Sequence, residues 1–304
     1  KQVIDILQKK GLARESEGAL MVFLDDDKLP PAMVRKSDGG YNYATTDLAT
    51  VISRVEEFKP DKIVYVTDER QQLHFRQFFT IARKMGISTE LVHVWFGLMR
   101  LPEGTFSTRD GNVIKLEKLL DEAIERATAL VKEQSHDMPA ERQAEIARAI
   151  GLGAVKYADI SQNPQSMVTF TWEKALAMNG NSAPYLQYAY ARISSVRDKY
   201  AEKFPGSDPN SRPIAISDPV ERDLAVRLIR FPQTVIQAAE TYKPSVLSDY
   251  LYDLAQNYST YYQNVPFLKA EEGIRESRVR ICGAVAAVLG KGLELLGIDT
   301  PERI

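Results

Sequence analysis

Tyr43 and Asp47 stand four residues apart, and Gln71 follows after one apolar segment and one turn. A phenol, a carboxylate and an amide brought to one place would recognise a small, flat, cationic ligand rich in N–H donors. A guanidinium group has that character, because its planar fork of donors matches a carboxylate and leaves further N–H groups for neutral acceptors. A bland reading of each residue stands beside this one. An Asp in the first turn of a helix is favoured by the unpaired N–H groups and macrodipole there, whatever the protein does. Tyr43 alone suits a half-buried strand, and Gln71 alone carries no information.

A second group lies in the hydroxyl-rich segment Thr105-Phe106-Ser107-Thr108-Arg109-Asp110, flanked by Gly104 and Gly111. Next to a ligand-binding sheet edge, such a loop can close over a polyphosphate. Arg109 would be a charge-assisted donor and the hydroxyls neutral ones. Asp110-Gly111 is also the strongest short turn signal, so a plain hairpin stays open as the alternative.

The elements that would position these groups are visible as periodicities. Residues 41–44 predict a short strand, 46–58 a helix with Leu48, Val51, Ile52 and Val55 on one face, and 62–66 an apolar strand. That is a βαβ unit with parallel strands and a right-handed crossover. It puts Tyr43 and Asp47 at the carboxyl end of one strand, and Asp68 and Gln71 at the carboxyl end of the next. Open α/β sheets bind their ligands at that edge. An aromatic-rich helix over 70–85, ended by Gly86, and a strand over 90–96 extend the pattern to half of a doubly wound nucleotide-binding sheet. Upstream, 2–10 reads as a helix, 18–24 as a strand and 25–31 as a turn whose acidic run suits a solvated loop better than a metal site. No Gly-rich phosphate loop of the dinucleotide or Walker type occurs.

From Leu116 the pattern turns helical, over 116–134 and 140–158, with a β-like interruption at 168–172 and a short helix over 173–178. Asn179-Gly180-Asn181-Ser182 breaks the chain and caps a helix over 184–203. Helices over 219–240, 245–263 and 271–296 follow, the last closed by Gly297 with Pro301 beyond it. The expected fold is α/β, a partial Rossmann-type parallel sheet over 1–115. A connecting helical region over 116–178 leads to an all-α bundle over 179–304.

Composition bounds the function classes. The chain has 304 residues, 44% hydrophobic and 26% charged, the profile of a globular protein large enough for two cored domains. No apolar run approaches the roughly 20 residues of a membrane span. One Cys and three His leave no four-ligand zinc site and no disulfide framework, so a reducing, cytoplasmic setting and no structural metal are expected. At a net charge of −2, any nucleic-acid contact needs a local basic face. The chain starts at Lys1 and runs at once into an apolar helical pattern, so it reads as the interior of a longer polypeptide.

Taken in order, Tyr43-Ala44-Thr45-Thr46-Asp47, Gln71-Gln72-Leu73-His74, Phe106-Ser107-Thr108-Arg109-Asp110-Gly111, Ser182-Ala183-Pro184-Tyr185-Leu186-Gln187-Tyr188-Ala189-Tyr190-Ala191-Arg192 and the closing Gly297-Ile298-Asp299-Thr300-Pro301-Glu302-Arg303-Ile304 are distinctive. The whole chain closely resembles the carboxyl-terminal half of bacterial-type arginyl-tRNA synthetases, which are class I enzymes. The resemblance implies an arginine pocket at Tyr43, Asp47 and Gln71. It implies a degenerate Lys-Met-Ser-Lys-Ser loop, with Thr105 at the first Lys, Phe106 at the Met, Ser107 at the Ser, Thr108 at the second Lys, and Arg109 after it. Ser107, Thr108 and Arg109 are then the catalytic candidates.

The same resemblance makes the helical half an anticodon-binding domain, with Tyr185, Tyr188, Arg192 and Tyr258 as tRNA-binding candidates. Tyr188 and Arg192 would share one helix face, a base platform beside a phosphate donor. A core role for Tyr185, Tyr188, Tyr258 and Tyr262 stays open. The implied substrates are arginine, ATP with its Mg²⁺, and tRNA(Arg), charged at the 2′-hydroxyl of its terminal adenosine by a monomer. His74, His93 and His136 are isolated and wrongly placed for the His-Ile-Gly-His-type element by which class I synthetases bind ATP. No His-Ile-Gly-His-type element occurs in the sequence, so residues 1–304 alone are expected to be inactive. A non-catalytic RNA-binding or regulatory paralogue that retains the bundle is the alternative.

Overall fold

Asn42 settles how the chain enters its first long helix. Its side-chain oxygen accepts the Tyr43 N–H at 2.8 Å and its carbonyl accepts the Thr45 N–H, so the strand expected over 41–44 is a helix start. Tyr41 alone keeps a β contact there, an isolated bridge to Arg35. This is seen in a computed structural model that describes residues 1–101, 104–105, 115–134, 138–211 and 213–304. The chain forms two compact units, Lys1–Gly97 and Leu98–Ile304.

The first unit runs α1 (Gln2–Lys9), β1 (Ala13–Ser16), β2 (Ala19–Leu24), β3 (Leu29–Arg35), α2 (Tyr43–Phe58), β4 (Lys62–Asp68), α3 (Gln72–Met85) and β5 (Glu90–Phe96). Strands β1, β2 and β3 make an antiparallel sheet in that order. Strands β4 and β5 pair in parallel from Lys62 opposite Glu90 to Asp68 opposite Phe96. The βαβ unit is therefore β4–α3–β5, one element later than the periodicity suggests. The turn expected over 25–31 is shorter: Asp25–Asp27 makes one 3-10 turn, Lys28 takes the left-handed conformation, and β3 begins at Leu29. Pro30 and Pro31 hide that strand from a sequence reading, and they are tolerated because β3 is a sheet edge.

One core joins Val3, Ile4 and Leu7 of α1, Leu20, Val22 and Leu24 of β2, Leu48 and Val51 of α2, and Phe75, Phe78 and Ile81 of α3. Along β4, Ile63 and Tyr65 pack against that core while Val64 and Val66 alternate outward, the pattern of a sheet covered on one face.

The second unit starts with β6 (Met99–Leu101), which pairs antiparallel with β7 (Gly104–Thr105) and parallel with β8 (Val168–Thr169). Between β7 and β8 lie α4 (Leu116–Gln134) and α5 (Ala140–Ile160). Their close approach needs Gly151, where an added Cβ would sit 2.7 Å from the Ala123 carbonyl oxygen. After the short α6 (Trp172–Ala175) come α7 (Ala183–Lys203), α8 (Pro219–Ile229), α9 (Phe231–Thr241), α10 (Pro244–Asn264) and α11 (Ile274–Leu295). The single helix expected over 219–240 is thus two. Pro232 lacks the N–H for the Leu228 carbonyl and its ring would clash there, so the helix breaks at Arg230. Leu186, Ile193, Leu251, Leu254, Tyr258, Val285 and Leu289 fill the bundle core.

Candidate functional site

Because α2 starts at Tyr43, Tyr43 and Asp47 lie one helical turn apart on the same face, and not at the end of a strand. Asp47 is the fifth residue of α2, beyond the first turn, so helix capping does not account for it. Thr45, buried between them, donates its hydroxyl to the Val34 carbonyl and pins the start of α2 to β3. Tyr43 remains 80% exposed.

Asp47 is not alone. Its Oδ2 lies 2.6 Å from Nε2 of His74, which α3 presents one turn after Gln71. The His74 ring packs edge-on to Phe75, with centroids 5.4 Å apart, and lies parallel to the buried Phe78 ring at 6.3 Å. Gln71 itself closes the 3-10 turn Glu69–Gln71 and is exposed. That turn is held by Asp68, which accepts the Arg70 N–H at 2.8 Å and the Arg70 guanidinium at 2.7 and 3.0 Å. The Arg70 side chain therefore holds the Asp68 carboxyl below the usual carboxylate range. Asp68 is a turn former, and its charge is already matched. No bond joins Gln71 to Tyr43 or Asp47 among the described residues.

A second histidine sits behind the first. His93 on β5 shares a 2.8 Å hydrogen bond with the Thr67 hydroxyl on β4, and its ring stacks on Phe75 at 4.3 Å. Burial, together with the charge of nearby His74, pushes its imidazole below the ordinary value of 6.5. Neither histidine is isolated, contrary to the sequence reading. The signal available was the position of His74 three residues after Gln71, on one helix face with it.

In the bundle, Ser182 caps α7 by accepting the Tyr185 N–H at 3.3 Å, as its position predicts. The Arg192 guanidinium lies 4.8 Å from the Tyr188 ring centroid and 5.1 Å from that of Tyr262 on α10. Both rings are 37% exposed, so this stack faces solvent. Tyr185 is half-buried, with its hydroxyl 3.2 Å from that of Ser259 and its ring edge-on to Tyr252. Tyr258 corrects the sequence reading: it is 0% exposed, inside the bundle core, and offers no face to a base. Ser107, Thr108 and Arg109 lie outside the described residues.

A family model described as "tRNA synthetases class I (R), catalytic domain" matches residues 1–172. The chain belongs to the arginyl-tRNA synthetase family. The model of the DALR anticodon binding domain matches residues 186–304, so the arginyl-tRNA synthetase pattern continues through the bundle. An arginine–tRNA ligase of Fusobacterium nucleatum is 44% identical over 303 residues, 99% of this chain and 53% of that protein. One of Chromobacterium violaceum is 45% identical over 311 residues, 99% of this chain and 54% of that protein. The arginyl-tRNA synthetase structure of Thermus thermophilus superposes with a TM-score of 0.86 at 28% identity, covering 100% of this chain and 57% of that one. The chain thus spans about half the length of the curated relatives it matches.

Proposed function

We propose that this chain supplies the amino-acid pocket and the anticodon-binding bundle of an arginine–tRNA ligase. The observation that carries the reading is the Asp47 carboxylate. It is partly open to solvent and bound through one oxygen to a histidine, so it is available to a cation. The family pattern over residues 1–172 supports reading that cation as the guanidinium of arginine. Tyr43, one turn back on the same face, and Gln71, at the head of α3, complete the pocket when the substrate bridges them. The remaining reaction is a transfer between bound groups. The arginine carboxylate attacks the α-phosphate of ATP and releases pyrophosphate, and the terminal 2′-hydroxyl of tRNA(Arg) then attacks the carbonyl of the arginyl-adenylate and expels AMP. The protein's share is positioning and charge stabilisation. Mg²⁺ enters with ATP as part of that substrate, and Ser107, Thr108 and Arg109 act on its phosphates. Exposed Tyr188, with Arg192 stacked on it, offers the anticodon loop a base platform beside a phosphate donor, and Tyr185 lines its flank.

The test is Asp47→Asn in a chain extended to the full length of its relatives. Losing one charge of a partly desolvated pair should cost about 2–5 kcal/mol in arginine recognition. Unchanged KM and kcat for arginine would refute the pocket.

A further inference from the structure

We propose that His74 is a positioning residue for this pocket: it holds the Asp47 carboxylate by one oxygen and leaves the other turned to the guanidinium. This rests on the arginine-ligase reading above. The Asp47–His74 pair is the sole bond Asp47 makes among the described residues, so without His74 its rotamer would be set by solvent alone. An acceptor that must meet a planar fork of donors gains from being fixed beforehand, since the ordering cost is then met in the fold and not on binding. His74 is suited to fix it. Its ring is confined between Phe75 and the fully buried Phe78, and it projects from the same helical turn that follows Gln71. With Asp47 accepting, Nε2 is the donor.

Stability does not explain the pair. Its side chains are 29% and 37% exposed, and ion pairs so open to water contribute little to folding. The core beneath is already complete, with Leu48 and Val51 on α2 and Phe75, Phe78 and Ile81 on α3. What the contact adds is a defined direction for a carboxylate on α2, imposed from α3. His93 takes no part, since its Nε2 is engaged by Thr67.

The experiment compares His74→Leu, His74→Gln, His74→Asn and Asp47→Asn in the chain extended to the full length of its relatives, each checked by circular dichroism. His74→Leu should raise the arginine KM by about 10- to 100-fold, with kcat and the ATP KM changed less than about threefold, the expected effect of misplacing a binding group. Gln places an N–H close to where Nε2 stood, so His74→Gln should recover most of the affinity, whereas the shorter His74→Asn should not. If Asp47→Asn raises the arginine KM but His74→Leu does not, the positioning role is overturned and the pocket stands. If neither changes it, the pocket reading itself fails. Parallel losses in kcat, arginine KM and ATP KM, unrelieved by His74→Gln, would make His74 merely structural and overturn the proposal. Should His74→Leu not fold, equal arginine KM values for His74→Gln and His74→Asn would overturn it equally.

Discussion

Gln187, in the second turn of α7, donates its side-chain amide to the Asp299 carbonyl at 2.8 Å, across 112 residues of chain. The same nitrogen reaches the Ala149 carbonyl on α5 at 3.1 Å. One buried amide thus fastens the end of the chain and α5 to the bundle, beneath Gly153, where an added Cβ would come within 3.0 Å of that nitrogen. Gln187→Leu leaves these acceptors without their donor and should cost about 1–3 kcal/mol. A denaturant midpoint unmoved by the substitution would show that water replaces the amide without loss.

Arg109 is expected to act on the phosphates of ATP. On the proposed function, and in a chain extended to the full length of its relatives, Arg109→Ala should lower kcat for arginine activation much more than it raises the arginine KM, as when a contact forms only in the transition state. Pyrophosphate exchange kinetics measure both. An equal rate for the variant would reduce the segment to a connecting turn.

Of the three tyrosines that the sequence offers to tRNA, exposed Tyr188 and buried Tyr258 should separate cleanly. Tyr188→Ala removes an exposed ring from the Arg192 stack and should weaken tRNA(Arg) binding by about 1–3 kcal/mol, the range for a lost base platform. Tyr258→Phe keeps its ring in the core and should leave tRNA affinity unchanged. Filter binding at fixed salt checks both, because phosphate contacts make any such affinity salt-dependent. A weakened Tyr258→Phe variant would return that residue to the interface.

Acid should loosen the two units in different pH ranges. His93 in the first unit is held below 6.5 by burial and by the His74 charge, so the unfolded state takes up its proton first. Its contribution is complete above 6.5 and declines as the pH falls below that value towards the folded pKa. Glu221 in the bundle is pushed up by burial, but the Ser217 N–H and the Arg278 guanidinium at 2.8 Å outweigh this and hold it below 4.5. Its stabilisation is present above 4.5 and is lost only as the pH drops below that value. Melting curves from about pH 7.5 to about pH 5.5 should therefore show early softening of the first unit alone, abolished by His93→Phe. A pH-independent first transition would contradict the sign assigned to His93.

The long helices and the β4–α3–β5 unit were legible in the chain, because each carries an unbroken 3.6- or 2-residue apolar period that local physics enforces. The strand over 90–96 and the helix over 116–134 match the structure end to end. The Asn181-Ser182 cap of α7 was legible for the same local reason. The start of α2 was misread, since the alternation of residues 41–44 competes with one capping amide, and the cap won. β3 was hidden by two prolines whose cost vanishes only at a sheet edge, a fact of pairing and not of sequence. The sequence alone determined which residues form the amphipathic faces and, through resemblance, the family, whereas the strand end expected for Tyr43 and Asp47 gave way to a shared helix face. Tertiary structure alone decided that Asp47 meets His74, that Tyr258 is core while Tyr262 closes on Arg192, and that Gln187 reaches Asp299. Those contacts join distant segments, and whether a polar or aromatic group is spent on burial or left for a ligand depends on what packs beside it.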